Sequence, residues 1–358
     1  RSFCKLKIFS ILFEIICFAV LGPIDPSTAG IVLPHEHLSI SSAALKVKNK
    51  DERFKDFENA PVAMGNLWWI RQNPYSNFPN LELHTEHEAV IEELDFFKKY
   101  GGSTIVDNTT IGILRDIKFL KEAADKTGVN IVSGTGYYVE ASRPETTVLT
   151  TEEMAAHMKN EILHGCEGTD IRCGVIGEIG CSWPLAGVFE RRAVEAAAQI
   201  NLDIGCPVII HPGRNVESPP ELVRVFQEAG GNKEKLVMSH LDRTIQTKDK
   251  LLEFASLGCY SEFDLFGIQE THYQLLEEID MPGDATRIQW IKWLIDGGYE
   301  DKITIAHDIH TKHRLMKFGG HGYSHILLNI IPKMLKRGIS QATIDKITKT
   351  NPQKWLTF

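Results

Sequence analysis

IVLPHEHLSI, residues 31–40, is the stretch that decides the fold. Its β-branched opening reads as a short strand over residues 31–33, and the run leads into three side chains able to bind a metal, His35, Glu36 and His37. Side chains alternate along a strand with period 2, so His35 and His37 face one way and Glu36 the other. Outward from this segment, seven further apolar runs appear at 104–106, 129–133, 173–176, 207–210, 236–238, 259–263 and 303–306. Amphipathic stretches with helix signals lie between them. Thr85 and Glu88 read as a capping box, with Gly101 and Gly102 as the stop; Ser218 followed by Pro219 opens another helix, which Gly230 and Gly231 close. Eight strands alternating with helices predict an α/β fold, a (β/α)8 TIM barrel of parallel strands.

The pattern of the first strand repeats. The fourth run leads to Glu178, the fifth to His211, the sixth to His240, the seventh to Asp264 and the eighth to Asp308. Glu178, His211 and His240 follow at roughly 30-residue intervals, the length of one βα unit. In such a barrel the C-terminal strand ends surround one mouth, where active sites are built. A single strand-end histidine is ordinarily a hydrogen-bonded structural residue and a single carboxylate an N-cap; the same chemistry at six strand ends is not explained that way. Four imidazoles with carboxylates from this group form a ligand set for a pair of divalent ions about 3.5–4 Å apart, which would lower the pKa of a water between them towards about 7. His321 and His325 have helical i, i+4 spacing but lack the Glu of an HExxH zinc motif, and read as loop or helix-cap residues.

Composition narrows the function. With 39 Lys and Arg against 47 Asp and Glu, the 358-residue chain carries a net charge of −8 and no long basic run, which argues against duplex nucleic acid as a partner. Seven cysteines without a CxxC pair form neither a disulfide framework nor a zinc ribbon. Residues 8–21 follow Lys5 and Lys7 like the apolar core of a signal peptide, but Glu14 interrupts them and they fall short of the about 20 residues a membrane span requires. The expected organisation is an uncertain N-terminal extension at 1–17 and a single barrel domain at 18–358. The expected location is cytoplasmic and off the membrane, with secretion as the alternative if residues 1–20 are a signal.

Longer motifs give the chain a family. HEHL at 35–38, NPYS at 73–76, GEIGCSWPL at 177–185, VIIHPGR at 208–214, MSHLDRT at 238–244 and AHDIHTK at 306–312, followed by GGHGYSHI, span nearly the whole sequence. From about residue 18 to residue 358 the chain resembles the phosphotriesterase family of the amidohydrolase superfamily, in particular its animal phosphotriesterase-related branch. The resemblance implies a hydrolase with two divalent metal ions, zinc (Zn2+) or another transition ion. By the family pattern His35, His37 and Asp308 would hold the more buried ion and His211 and His240 the more exposed one, with Glu178 bridging where bacterial phosphotriesterases carry a carboxylated lysine. Pro34, which donates no backbone N–H, is the departure, expected at the strand's last turn.

The implied reaction is cleavage of the amide bond of small anionic N-acyl compounds, N-acetyltaurine to taurine and acetate and some N-acetyl amino acids, with Asp308 as the catalytic proton acceptor. A lactonase or phosphotriesterase on the same site, and a non-catalytic metal-binding protein, are the alternatives. Asp264 and His310 are candidates for a proton relay, and Arg243 and Lys312 for holding the substrate anion. Arg243 could instead pair with Asp242 or Asp264. Tyr137 and Tyr138 end the third strand, and only one of them can point inward. The insert after the first strand carries Trp68, Trp69, Pro74, Tyr75 and Phe78, suited to a lid. A homodimer is also expected.

Overall fold

Short apolar strands that must bury both faces leave the chain one economical solution, a parallel sheet closed on itself with helices outside. The computed structural model describes residues 16–142, 148–185, 187–271 and 273–358. Its eight-stranded sheet runs in chain order: β1 (Ile31–Glu36), β2 (Gly102–Asp107), β3 (Asn130–Thr135), β4 (Val175–Gly180), β5 (Val208–His211), β6 (Leu236–Met238), β7 (Tyr260–Phe263) and β8 (Ile303–Ile305). Each neighbouring pair is parallel. The ring closes where Asp308 N–H donates to the His35 carbonyl at 3.1 Å, so the eighth strand end is tied directly to the first. This is the predicted TIM barrel.

Helices such as His87–Lys99, Ile117–Thr127, Thr151–Leu163, Val188–Ile204, Ser218–Glu228 and Asp284–Asp296 cover the outside and bury their apolar stripes in one large core. A smaller cluster holds one side chain from each of β1 to β7, from Val32 to Tyr260, together with Trp355 of the C-terminal helix. Trp355 Nε1 donates to the Lys235 carbonyl at 3.1 Å, which satisfies its one polar atom.

Several boundaries differ from the sequence reading. β4 extends to Gly180, so Glu178 stands inside the strand, and β1 carries His35 and Glu36 within it. Pro34 is also inside β1. The pairing of β1 with β2 shifts between Leu33 and Glu36, an irregularity that needs no N–H at Pro34, and the Pro34 carbonyl accepts from Asn108 Nδ2 at 2.9 Å. The capping box of Thr85 and Glu88 does not form: Thr85 closes a tight turn by donating to the Glu82 carbonyl, and the helix begins at His87 with no side-chain cap. A complete box occurs instead at Thr150 and Glu153, where each side chain accepts from the other's backbone N–H. Ser218 and Pro219 do open a helix.

Residues 1–15, and with them most of the apolar N-terminal stretch, lie outside the described residues. Beyond them Cys17–Ala19 and Gly22–Ile24 form a hairpin whose Phe18 ring meets Phe358 edge-on. Among the described residues no helix is long and apolar enough to cross a membrane, and the six described cysteines are free and buried.

One buried ion pair ties the turn after β6 to the segment after β7. Arg287 donates from Nε to Asp242 Oδ2 at 2.6 Å and from Nη1 to the Ile268 carbonyl at 2.8 Å, while Asp242 Oδ2 also accepts the Leu265 N–H; both side chains are fully buried. Arg287→Met would strand the Asp242 carboxylate without its counter-charge. Such a loss costs about 3–5 kcal/mol, and chemical denaturation of the variant beside the parent chain should show it; a loss within about 1 kcal/mol would mean that Asp242 finds another partner.

Candidate metal centre and active site

The strand ends converge as the sequence predicts. His35 and His37 leave β1 on the same side, and each has one ring nitrogen fixed from behind: His35 Nδ1 lies 2.8 Å from Asp264 Oδ2, and His37 Nδ1 lies 2.9 Å from Thr109 Oγ1. His240, just beyond β6, is fixed by the same Asp264, its Nδ1 2.9 Å from Oδ1 and its backbone N–H donating to that oxygen at 3.0 Å. His240 has a φ of 57°, a left-handed conformation that costs a non-glycine residue energy. The free ring nitrogens then face the carboxylates. His37 Nε2 is 3.2 Å from Asp308 Oδ1 and 3.3 Å from Glu178 Oε1; His35 Nε2 and His240 Nε2 are each 3.5 Å from Glu178 Oε2, and His211 Nδ1 is 3.0 Å from it.

These atoms fall into overlapping donor sets. His35, His37 and Asp308 form one and Glu178, His211 and His240 another; within each, the donor atoms all lie within 4.8 Å of one another. A third grouping of His35, His240 and Asp264 shares the same imidazoles. Two features test whether a divalent ion suits these residues. His35 Nε2 is fully buried without a hydrogen-bond partner, and His240 Nε2 lies 2.8 Å from His211 Nδ1, where two neutral rings share at most one proton. Imidazoles beside carboxylates are the donors borderline transition ions prefer. The residues fit.

Electrostatics points the same way. Burial would push the Glu178 carboxyl up, but the imidazoles of His35 and His211 bring it well below the usual carboxylate range. Asp308 behaves alike: burial opposes ionisation, and His310 and His37 outweigh it. Burial, followed by the charge of His240, presses His211 down to about 3. The carboxylates are therefore anionic and His211 neutral, while the same acids outweigh burial and raise His35 well above its ordinary value and His37 to about 9, so the cluster holds protons that a divalent ion would have to displace.

Glu36 has a job that sequence reasoning left unassigned. It points away from its two histidine neighbours, as the strand alternation predicts, and its carboxylate accepts from the backbone N–H groups of His307 at 2.8 Å and Ile309 at 3.1 Å. These two residues flank Asp308, whose φ is 51°. Arg314 donates to the carbonyls of His307 and Asp308. Asp308 is thus held in a left-handed turn by an acid in front and a guanidinium behind. A charged residue in a buried strand was the available signal, since it must find a partner.

A narrow cavity opens on these ligand-type residues. Tyr138 lines it, its Oη 3.4 Å from His211 Nδ1, whereas Tyr137 packs its ring against His157 and Phe189. Lys312 is a correction: the chain turns away after Thr311, and Lys312 Nζ reaches Glu86 Oε1 at 2.9 Å instead of the cavity. Asp264 is another, because it is fully buried beneath the imidazoles and touches no open space. His310 does line the cavity, with Nδ1 3.3 Å from Asp308 Oδ2 and Nε2 3.0 Å from Tyr75 Oη. Of the aromatic insert only Tyr75 lines the cavity; Trp68 and Trp69 pack on Phe54 and Phe57. Arg243 also faces in. Its acid neighbours are engaged elsewhere, Asp242 by Arg287 and Asp264 by the histidines, and its Nη2 donates to the Pro212 carbonyl at 3.1 Å. Arg214 and Tyr273, to which sequence reasoning gave no role, complete this wall.

Known proteins resemble this chain in sequence and fold. The model of the Phosphotriesterase family matches residues 17–356. N-acetyltaurine hydrolase of Rattus norvegicus is 52% identical over 340 residues, 95% of this chain and 97% of its own length, and the Xenopus tropicalis protein of the same name is 53% identical with the same coverage. Among solved structures, a resiniferatoxin-binding protein from Rhodobacter sphaeroides superposes with a TM-score of 0.91 at 30% identity, covering 95% of this chain and 94% of that one. A phosphotriesterase homology protein from Escherichia coli, complexed with phosphate in its active site, gives a TM-score of 0.75 at 25% identity over 93% of this chain and all of its own. With the family match running from the N-terminal hairpin to the last helix, over a barrel whose mouth gathers divalent-metal donors, the chain belongs to the phosphotriesterase family and is a metal-dependent hydrolase.

Proposed function

We propose that this chain hydrolyses the amide bond of small anionic N-acyl compounds, N-acetyltaurine to taurine and acetate first among them and some N-acetyl amino acids after it. The observation that carries this reading is the pairing of a carboxylate-rich donor cluster with an unpaired cation, Arg243, in one cavity. Relatives named N-acetyltaurine hydrolase, more than half identical over nearly their whole length, support it. A lactonase or phosphotriesterase would use the same donors but has no need of a cation for a leaving anion.

In this reading His35, His37 and Asp308 would hold one divalent ion and His211 and His240 a second, with Glu178 offering a carboxylate to both and zinc the expected metal. When bound, such ions supply Lewis-acid polarisation of a carbonyl and acidification of water. Asp308 takes a proton at its carboxylate from the attacking water and returns it to the leaving nitrogen, which amide cleavage requires because an amide anion is a poor leaving group. His310, touching Asp308 Oδ2 and Tyr75 Oη, keeps the Asp308 carboxylate ionised and oriented. Asp264 fixes two imidazoles and moves no proton to substrate. Tyr75, Leu265, Ile268 and Met281 form an apolar wall suited to a short acyl chain.

Two variants separate the roles. Asp264→Asn leaves every ligand in place but weakens the support of His35 and His240, so metal affinity should fall roughly 10- to 100-fold, read by competition with a chelator, while acetate release recovers at saturating metal. Glu178→Gln should lose more than that and should not recover. Two ions per chain with near-normal turnover in Glu178→Gln would remove the bridge from the reading. Fully metallated parent enzyme that releases no acetate from N-acetyltaurine would remove the substrate.

A further inference from the structure

The wall beside His211 carries cations and, among the described residues, no acid paired with them. Arg243 is almost fully buried, its Nη1 has no hydrogen-bond partner, and it makes no ion pair among the described residues. Arg214, half-buried, donates from Nε to Tyr273 Oη at 3.0 Å; among the described residues it too has no ion pair, and its Nη atoms have no partner. Both guanidiniums lie over the Tyr273 ring, 5.4 Å and 5.9 Å from its centroid. Having accepted from Arg214, the Tyr273 hydroxyl keeps its own proton to donate, and no described residue receives it. A buried cation without a counter-charge is costly, so Arg243, with the half-buried Arg214 on the same ring, calls for an anion.

We propose that Arg214, Arg243 and Tyr273 form a three-donor socket for the acid group of the substrate, and that the socket selects a sulfonate over a carboxylate. The inference rests on the N-acyl hydrolase reading above and adds its specificity. A sulfonate spreads three acceptor oxygens over a tetrahedral face, one each for Arg243 Nη1, an Arg214 Nη and Tyr273 Oη. A carboxylate has two oxygens in one plane, which a single guanidinium fork satisfies, so the third donor is left unmet. Tyr273 also fixes the Arg214 plane through Nε, which makes it a positioning residue as well as a donor.

Three substrates of one length isolate the acid group: N-acetyltaurine, N-acetyl-β-alanine and the neutral N-acetylethylamine. The parent enzyme should prefer them in that order by kcat/KM. Arg214→Met should lower the ratio of N-acetyltaurine to N-acetylethylamine by roughly 10- to 150-fold, the value of one charge-assisted hydrogen bond of about 1.5–3 kcal/mol, and the ratio for N-acetyl-β-alanine by clearly less. Tyr273→Phe should raise KM for N-acetyltaurine with kcat little changed. Calorimetric titration with ethanesulfonate and propanoate reads the socket without turnover, and the variants should lose the sulfonate's advantage. Should Arg214→Met fail to fold, Arg214→Lys carries the same comparison, since it keeps the charge and loses the fork. Equal losses on all three substrates, or a parent enzyme that binds propanoate as tightly as ethanesulfonate, would overturn the proposal. A parent enzyme that binds ethanesulfonate but cleaves none of the three amides would refute the function and leave the socket standing.

Discussion

Everything at the mouth depends on keeping two carboxylates ionised where almost no water reaches them. Glu178 is 2% exposed and Asp308 6%, and withdrawing one such ion from water costs several kcal/mol even after relaxation. The barrel meets that cost by geometry. Each carboxylate lies against imidazoles carried on other strands, and those rings are fixed by acceptors or hydroxyls that never reach the cavity, Asp264 behind His35 and His240 and Thr109 behind His37. A ring so held offers one nitrogen in one direction. The cluster is therefore preorganised for a cation and strained without one, as the unpartnered His35 Nε2 records.

The two donor sets are not equally supported. The set on β1 and β8 is locked three times: by Asp264, by the Glu36 carboxylate that grips both neighbours of Asp308, and by the strand closure between Asp308 N–H and the His35 carbonyl. His211 has no acid behind it. Its far nitrogen lies 3.2 Å from Arg243 Nη2, so its surroundings are cationic on the substrate side. A positive neighbour favours the neutral imidazole and weakens it as a donor.

How much of this could be read from the sequence follows from what a strand end determines. The step of one βα unit places residues around a ring, and alternation gives the face, so His35, His37, Glu178, His211, His240 and Asp308 could be gathered before any coordinate was known. Loops obey neither rule. Lys312 and Arg243 both stand a few residues past a strand end, yet the chain after Thr311 turns outward to Glu86 while the short helix after His240 keeps Arg243 facing in. Arg214 lay within the quoted VIIHPGR motif without a role, since nothing local tells a cation that lines a pocket from one that pairs outside it. Glu36 was visible as a residue and not as a support, and Asp264 could be read equally as a relay or as a structural hydrogen-bonding residue, because their partners are far away in sequence and only the closed barrel brings them together. The capping box at Thr85 failed for a related reason: a tight turn one residue earlier had already claimed the hydroxyl.

The charge pattern left by these choices has a direction. Acids gather on the strand ends and behind them, Glu36, Glu178, Asp264 and Asp308, while the guanidiniums Arg214 and Arg243, without an ion pair among the described residues, stand beside His211 and Tyr273. In the proposed reading, divalent ions would neutralise the acids while the wall kept its charge, so that a substrate with one anionic end would have a single favourable orientation, acid group to the wall and acyl carbonyl to the metals. A neutral amide lacks that preference and must be oriented by the apolar side chains alone, which discriminate by only about 1–3 kcal/mol per methylene. In the proposed reading, orientation by charge is what would hold so short a molecule in one pose.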